Sequence, residues 1–521
     1  IDDLKEKYQY KPQRNTINPI IGEFDDPNNQ RQGLLTLNLS KDGNTIVYGV
    51  AGSGVDEFFT TLVFSIIEGH SALEVNIYIL DFGSEILQNF KQAPQVGDVV
   101  NSSEEEKVRN LFKLLESVID ARKKTLNEYN GDFNLYNKSN DVPLPMIVVI
   151  INNYEAFLEL YEDCNDILTS ISRECFKYGI VIIMSASSMN AVRYRLSQNF
   201  KTLIPLQLNN EYDYTTILGK TNGVLPSNYV GRGLIKLDSI YEFQTAYVRE
   251  KDEQQKYIKQ YCEEIRESSE YLALKIPVLP AKVTIDIVSS KINKNGLMPI
   301  GIYKDDLSIA TYNFKKNYAS IISALDMDAY DKFINALITE IQHTFNLIVL
   351  DTKGTIRLTE KTNYFNRNFD KIIEQLGALI DAQFQHYEKN NYDLKSLTSE
   401  QDIICVINGF SSMYERLSAN NKKVLESFFV KGYEIKKICF ILIDTADQFK
   451  AYEYNEWYKK SVTNNSGIWL GSGINEQSVI KVSRVPNEAK HEIPNDFGFL
   501  VKQGTARYVK LLELKSDESI N

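Results

Sequence analysis

The sequence predicts an α/β protein with two tandem domains, each a mainly parallel central sheet covered by helices. Three observations carry this. Short runs that are apolar throughout alternate with longer stretches of helical period, the pattern of strands buried on both faces. The same series of runs occurs twice, in the same order. A charged stretch over 250–270, followed by Pro277 and Pro280, separates the two copies, because a helix does not continue through those prolines.

In the first copy, Thr45-Ile46-Val47-Tyr48 reads as a strand and is followed by a glycine loop, Gly49 to Gly54. A helix is predicted over 57–68, with Phe58, Leu62 and Ile66 on one face. A strand over 75–80 ends at Asp81. The long helix predicted over 104–129 keeps its period through Leu111, Leu114, Leu115, Val118 and Ile119. Strands follow over 146–151 and 179–184. The stretch 250–270 reads as a solvated helix with a narrow stripe of Tyr257, Ile258, Tyr261 and Ile265. We place the domain boundary after it, giving domains 1–271 and 272–521.

The second copy repeats the plan. Pro19-Ile20-Ile21-Gly22 returns as Met298-Pro299-Ile300-Gly301, and Ile79-Leu80-Asp81 as Val349-Leu350-Asp351. The strand before Asn152 returns before Asn408, the strand over 179–184 returns over 438–443, and Gly231–Lys236 returns loosely over 496–502. An offset of roughly 260–280 residues is far longer than a solenoid period, so the expectation is a duplicated domain.

Composition limits the function. The 521 residues are 43% apolar and 24% charged, the balance of a globular chain with real cores. Asp and Glu number 69 against 58 Lys and Arg, a net charge of −11, which argues against a dedicated nucleic-acid binder. No apolar run approaches the ~18 residues of a membrane span, and Ile1-Asp2-Asp3-Leu4-Lys5 has no signal-peptide core. That start lacks Met, so a piece of a longer protein is expected. Five cysteines without a CxxC suggest neither a disulfide framework nor zinc, and fit a reducing compartment. The four histidines lie far apart in sequence, so no His-rich metal site is expected.

The loop Gly49-Val50-Ala51-Gly52-Ser53-Gly54-Val55-Asp56 has the context and spacing of the phosphate-binding motif G-x-x-x-x-G-K-[ST]. Such glycines turn backbone N–H groups inward at a helix N-terminus. The ionic residues are missing. Val55 stands where Lys would reach the phosphates, and Asp56 where a hydroxyl would hold magnesium; Glu57 adds another carboxylate. Charge-assisted contacts count about twice neutral ones, so the exchange removes much of the affinity for a triphosphate. The partner strand, which in such enzymes ends in a magnesium-orienting acid, ends here in Asn152-Asn153. No catalytic residue and no metal ligand is therefore assigned. The second copy ends its strand in Asn408-Gly409, and its loop, Ser323 to Asp328, has no glycine.

Asp26-Pro27, Gln30-Arg31-Gln32, Val47 to Gly54 and Leu80-Asp81-Phe82-Gly83 together resemble the FtsK/SpoIIIE family. Val96-Gly97-Asp98-Val99-Val100, Gly231-Arg232-Gly233-Leu234 and Glu242-Phe243-Gln244-Thr245-Ala246 narrow the resemblance to the membrane ATPases of type VII secretion. A Lys-, Asn-, Ile- and Tyr-rich composition suits an AT-rich Gram-positive genome. The resemblance implies two tandem RecA-like P-loop NTPase folds, the last two of three ATPase modules. Residues 1–271 are then an FtsK/SpoIIIE-like module with a degenerate Walker A (Gly49, Gly52, Ser53, Gly54, Val55, Asp56) and a degenerate Walker B (Asn152, Asn153); residues 272–521 are a more degenerate module. It further implies ATP and Mg as cofactors, hexameric rings, WxG-type secreted substrates and other secretion components as partners, no nucleic acid, a place on the cytoplasmic side of the cell membrane, and membrane attachment through segments outside this sequence. The function expected is recognition of secreted substrates and control of the motor, with little hydrolysis. The alternatives are an FtsK-type DNA translocase and an ATP-binding assembly platform.

Four further groups have bland readings. Arg193 and Arg195 read as a surface pair, although an arginine here can reach a neighbour's nucleotide in ring ATPases. Asp81 and Asp351 end matching strands and can cap the following loops. Arg122-Lys123-Lys124 suits a helix C-terminus. Tyr452, Tyr454, Trp457, Tyr458 and Trp469 form either a local core or the wall of a peptide pocket.

Overall fold

The computed structural model describes residues 1–13, 16–289, 297–357, 363–397 and 402–514. It divides into a first unit, Ile1–Val278, and a second from Leu279 onward.

The first unit contains β1 (Ile20–Asp26), β2 (Arg31–Thr36), β3 (Thr45–Tyr48), β4 (Val75–Asp81), β5 (Val96–Asn101), β6 (Met146–Asn152), β7 (Ile180–Ala186), β8 (Thr202–Pro205), β9 (Arg232–Lys236) and β10 (Ile240–Thr245). Six form a parallel sheet, in the order β5-β4-β6-β7-β3-β8. Every residue of β3, β4, β6 and β7 is buried, which is why these strands read as continuous apolar runs. Successive side chains point to opposite faces. Val47, Ile77, Ile79, Val148 and Ile150 pack with Phe58, Leu62 and Ile66 of the helix Val55–Gly69. Ile46, Tyr48, Tyr78, Leu80 and Val149 pack with Leu111, Leu115 and Ile119 of the helix Glu105–Thr125. A separate antiparallel sheet, β2-β1-β10-β9, completes the unit.

The residues just after the predicted boundary at 271/272 lie against the first unit. The Ala273 amide donates to the Pro94 carbonyl at 2.7 Å. The Tyr78 hydroxyl donates to the Leu274 carbonyl at 2.8 Å, and Asn110 Nδ2 to that of Pro277 at 2.9 Å. Ile276 is buried. The charged helix Lys251–Ser268 does end before Pro277 and Pro280, but the extended segment beyond it stays seated beside β5.

The second unit contains β11 (Leu297–Tyr303), β12 (Ile309–Asn313), β13 (Ala319–Ala324), β14 (Asn346–Asp351), β15 (Asn363–Phe365), β16 (Ile403–Asn408), β17 (Ile438–Thr445), β18 (Val462–Leu470), β19 (Phe497–Lys502) and β20 (Thr505–Leu511). They form one sheet, ordered β12-β11-β20-β19-β18-β13-β17-β16-β14-β15. Strand for strand this is the order of the first unit, except that an antiparallel β18–β19 pairing joins the two parts. Both units are thus RecA-like α/β folds with mainly parallel central sheets.

Burial changes one expectation and decides between two readings of another. Arg122 is not an exposed helix-end cation: its guanidinium is buried and donates to the carbonyls of Tyr178, Gly179 and Pro145. It ties the end of its helix to the starts of β6 and β7. Tyr452, Trp457, Tyr458 and Trp469 are core residues, packed with Phe410, Phe429 and Phe449, and only Tyr454 is exposed. The five cysteines are free and buried. Among the described residues, no helix is long and apolar enough to cross a membrane.

Candidate functional site

The glycine loop runs from the end of β3 into the helix Val55–Gly69. Gly52 and Gly54 sit at φ +79° and +100°, the left-handed region that favours glycine. Gly54 has a second reason to lack a side chain: a Cβ there would lie 2.2 Å from the Gly231 nitrogen. The Gly231 amide donates to the Ser53 carbonyl at 2.9 Å, so the segment before β9 clamps the loop. The amides of Gly49, Val50 and Ser53 donate to the carbonyls of Ala186, Gln207 and Val50.

The loop borders a cavity of about 340 Å³ at the C-terminal ends of the parallel strands, where ligands gather in open α/β sheets. Gly49, Gly52, Gly54, Val55, Asp56, Asn152 and Asn153 all line it. Ser53 is buried beneath the loop with no partner for its hydroxyl. The lining includes three carboxylates, Asp56, Glu57 and Glu155, and no Lys, Arg or His.

Asn152 organises the floor. Its Nδ2 donates to Asp56 Oδ1 at 3.2 Å and to Asp81 Oδ1 at 3.0 Å. Its Oδ1 accepts from Ser185 Oγ at 3.0 Å, and that hydroxyl accepts the Asn153 amide at 2.8 Å. One amide side chain therefore joins the loop helix, β4 and β7. Burial pushes the Asp81 carboxyl up, against hydrogen bonds from Asn152, Leu87 and Gly83; nearby Asp56 adds to the rise. Asn153, at φ +69°, caps the helix Tyr154–Leu160 by accepting the Ala156 amide. Glu155 accepts the Ser187 amide at 2.6 Å. Sequence reasoning does not reach the roles of Glu155, Ser185 or the Gly231 clamp, although Ser185 stands one residue past a predicted strand.

The second unit repeats this pairing. Asp351 lies in register with Asn408, as Asp81 does with Asn152. Asn408 Nδ2 donates to Asp351 Oδ1 at 2.9 Å, and the amides of Lys353 and Ile356 donate to the same carboxylate. Both aspartates thus cap loops, and both are anchored by an asparagine on the next strand. Arg193 pairs with Glu162 on the surface.

As a cradle for magnesium triphosphate, this donor set does not fit. Among the described residues no Lys, Arg or His lines the cavity, two carboxylates occupy the first helical turn, where Lys251 pairs with Glu57 at 3.9 Å, and three loop amides are engaged within the chain. Among the described residues, no cluster of three acid, His or Cys side chains could hold a metal.

Residues 4–221 match the model of the FtsK/SpoIIIE family. The type VII secretion system protein EssC of Staphylococcus aureus strain MRSA252 is 24% identical over 481 residues, 89% of this chain and 32% of that protein. The chain therefore spans about a third of the length of this curated relative. A structure of ATPases 2 and 3 of EssC from Geobacillus thermodenitrificans superposes with a TM-score of 0.81 at 20% identity, covering 97% of this chain and 98% of that one. ATPases 2 and 3 of Thermomonospora curvata EccC, in complex with a signal sequence peptide, superpose with a TM-score of 0.62 at 19% identity, over 96% and 94% of the two chains. Residues 4–221 are thus similar to the FtsK/SpoIIIE family, and nearly the whole chain is similar to the EssC/EccC ATPases of type VII secretion.

Proposed function

We propose that the chain is a two-module cytoplasmic segment of a type VII secretion translocase. It recognises secreted substrates and controls the motor, with little or no ATP hydrolysis of its own. The observation that carries this is the Asn152 amide bridging Asp56 and Asp81, in a cleft whose lining has three carboxylates and no cation. A phosphoryl-transfer site needs the opposite arrangement, with cations on the phosphates and an acid that orients magnesium and water. The T. curvata relative solved with a signal sequence peptide supports the substrate side of the reading. WxG-type secreted proteins are the proposed partners, and the membrane the proposed attachment point through segments outside this sequence.

The test has two arms. Purified chain is assayed for Mg-ATP turnover, and turnover comparable to an intact P-loop enzyme refutes the control reading. Each unit's binding to the secreted proteins of the same cell is then measured, and absence of binding by both refutes the recognition reading. A second reading has its own support: the loop keeps its left-handed Gly52 and Gly54 and a cavity of about 340 Å³. Nucleotide would then join subunits without being hydrolysed. Calorimetric titration with ATP separates the two, because only the assembly platform binds it before Val55→Lys and Asp56→Ser are introduced.

A further inference from the structure

A groove of about 540 Å³ lies in the second unit, between the turn after β12, the start of β18 and the β19–β20 hairpin. Lys316 and Lys502 line it, with the amides of Asn317, Asn465 and Gln503 and the ring of Tyr312. No Asp or Glu is among its lining residues. This is unusual in a chain whose net charge is −11. Nearby Arg507 is paired with Asp305 and Asp306, and Lys315 with Asp402, whereas Lys316 and Lys502 have no carboxylate within ion-pair distance among the described residues.

The groove is held in shape. The amides of Lys315 and Lys316 donate to Asn313 Oδ1 at 3.0 and 3.1 Å, fixing the turn that carries Lys316. Between the points where β13 pairs with Val462 and with Gly467, β18 bulges. The Gly504 amide donates to the Asn465 carbonyl at 2.7 Å, and the Gln503 amide to Ser466 Oγ at 3.0 Å. Gln503 and Gly504 sit at φ +50° and +77°, the left-handed pair that a two-residue hairpin loop requires. The hairpin that presents Lys502 and Gln503 is therefore stapled to the bulge that presents Asn465.

We infer that this groove binds the phosphate group of a small phosphorylated ligand. Two ammonium groups match the charge of a phosphate monoester, which carries close to −2 at neutral pH. Asn465 and Gln503 bring further side-chain N–H donors, while Asn317 Nδ2 already donates to the Tyr312 hydroxyl at 2.6 Å, and the volume is that of a small-molecule site. Lys502 is exposed at the groove rim, and partial desolvation and the neighbouring Arg507 push its amine down.

The full chain is titrated with inorganic phosphate by calorimetry and ³¹P spectroscopy, at an ionic strength held constant with chloride. Saturable binding is expected, at least ten-fold weaker in the double variant Lys316→Gln, Lys502→Gln, since two charge-assisted contacts are lost. Lys502→Arg, which keeps the charge, retains binding and shows that the fold is intact. Acetate, a monoanion, does not displace phosphate. The inference is overturned by any of three results: no saturable binding below about 20 mM phosphate, equal affinity in the double variant, or displacement by acetate at the same concentration.

Discussion

Replacing Asn152 with Asp restores the acid that an active P-loop enzyme carries at this strand end. Here the substitution is expected to destabilise the first unit. Asn152 is 3% exposed and Asp81 0%. Both hydrogen bonds from Nδ2, at 3.0 and 3.2 Å, become carboxylate–carboxylate contacts. Two unit charges about 3 Å apart repel by roughly 5–6 kcal/mol at an effective dielectric constant near 20. The site escapes that cost by binding a proton. Keeping a carboxyl protonated costs about 1.4 kcal/mol for each pH unit above its pKa, roughly 4 kcal/mol at pH 7. The shared proton regains part of this, so the net loss is about 3 kcal/mol at pH 7 and about 1 kcal/mol at pH 5. For a unit of this size the pH 7 loss lowers the unfolding midpoint by about 6–12 °C. Calorimetric unfolding of the full chain at both pH values, with hydrogen exchange of residues 146–152 to assign the transition, measures it. A variant within about 2 °C of the parent at pH 7, or one equally destabilised at both pH values, refutes the reasoning. Adding Asp56→Ser removes one of the two opposing charges and is expected to recover part of the loss.

Other perturbations probe separate contacts. Gly54→Ala places a Cβ 2.2 Å from the Gly231 nitrogen at φ +100°, so a stability loss of at least about 2 kcal/mol is expected from backbone strain and displacement; thermal unfolding reads it. Tyr78→Phe removes the donor to the Leu274 carbonyl, costs about 1 kcal/mol, and is expected to speed proteolysis within 271–277, measured by limited digestion. Asp370 accepts from the Ser418 amide and hydroxyl and from Asn421 Nδ2. The Asn421 bond, first, and those from Ser418 hold its carboxyl below the ordinary 3.8. Its contribution is full above the unfolded pKa and fades as pH falls through the lower folded value. Asp370→Asn is therefore expected to lose stability at pH 7 and to converge with the parent once pH has fallen through the lowered folded value, as acid unfolding curves would show.

Strands buried on both faces were the legible part of this chain. The mainly apolar runs at 45–48, 75–80, 146–151 and 179–184 declare β3, β4, β6 and β7, because no charged residue interrupts them. The antiparallel sheet was not legible, since Glu23, Arg232 and Glu242 break its apolar pattern wherever one face meets water. The helix after the glycine loop starts at Val55, two residues before the predicted 57, because Gly54 ends the loop in a left-handed conformation. At the site, spacing exposed the missing Lys and the missing acid. It did not expose the bond between Asn152 and Asp81, residues 71 apart, because only strand order brings their ends together. The Gly231 clamp was hidden for the same reason: its reach to Ser53 depends on how a loop returns from the second sheet.

The segment over 271–277 bears on the outer strand of the first unit's parallel sheet. In its parallel sheet, β5 is an outermost strand, and an unpaired strand edge is a template on which other chains can pair and aggregate. This unit covers that edge with its own downstream residues. The Ala273 amide and the Lys275 ammonium bond the carbonyls of Pro94 and Val96, and a Cβ on Gly97 would lie 2.7 Å from the Leu274 carbonyl oxygen. A fragment cut at 271, where charge and prolines alone would place the cut, bares the edge and is expected to self-associate; one carried to Val278 keeps its guard.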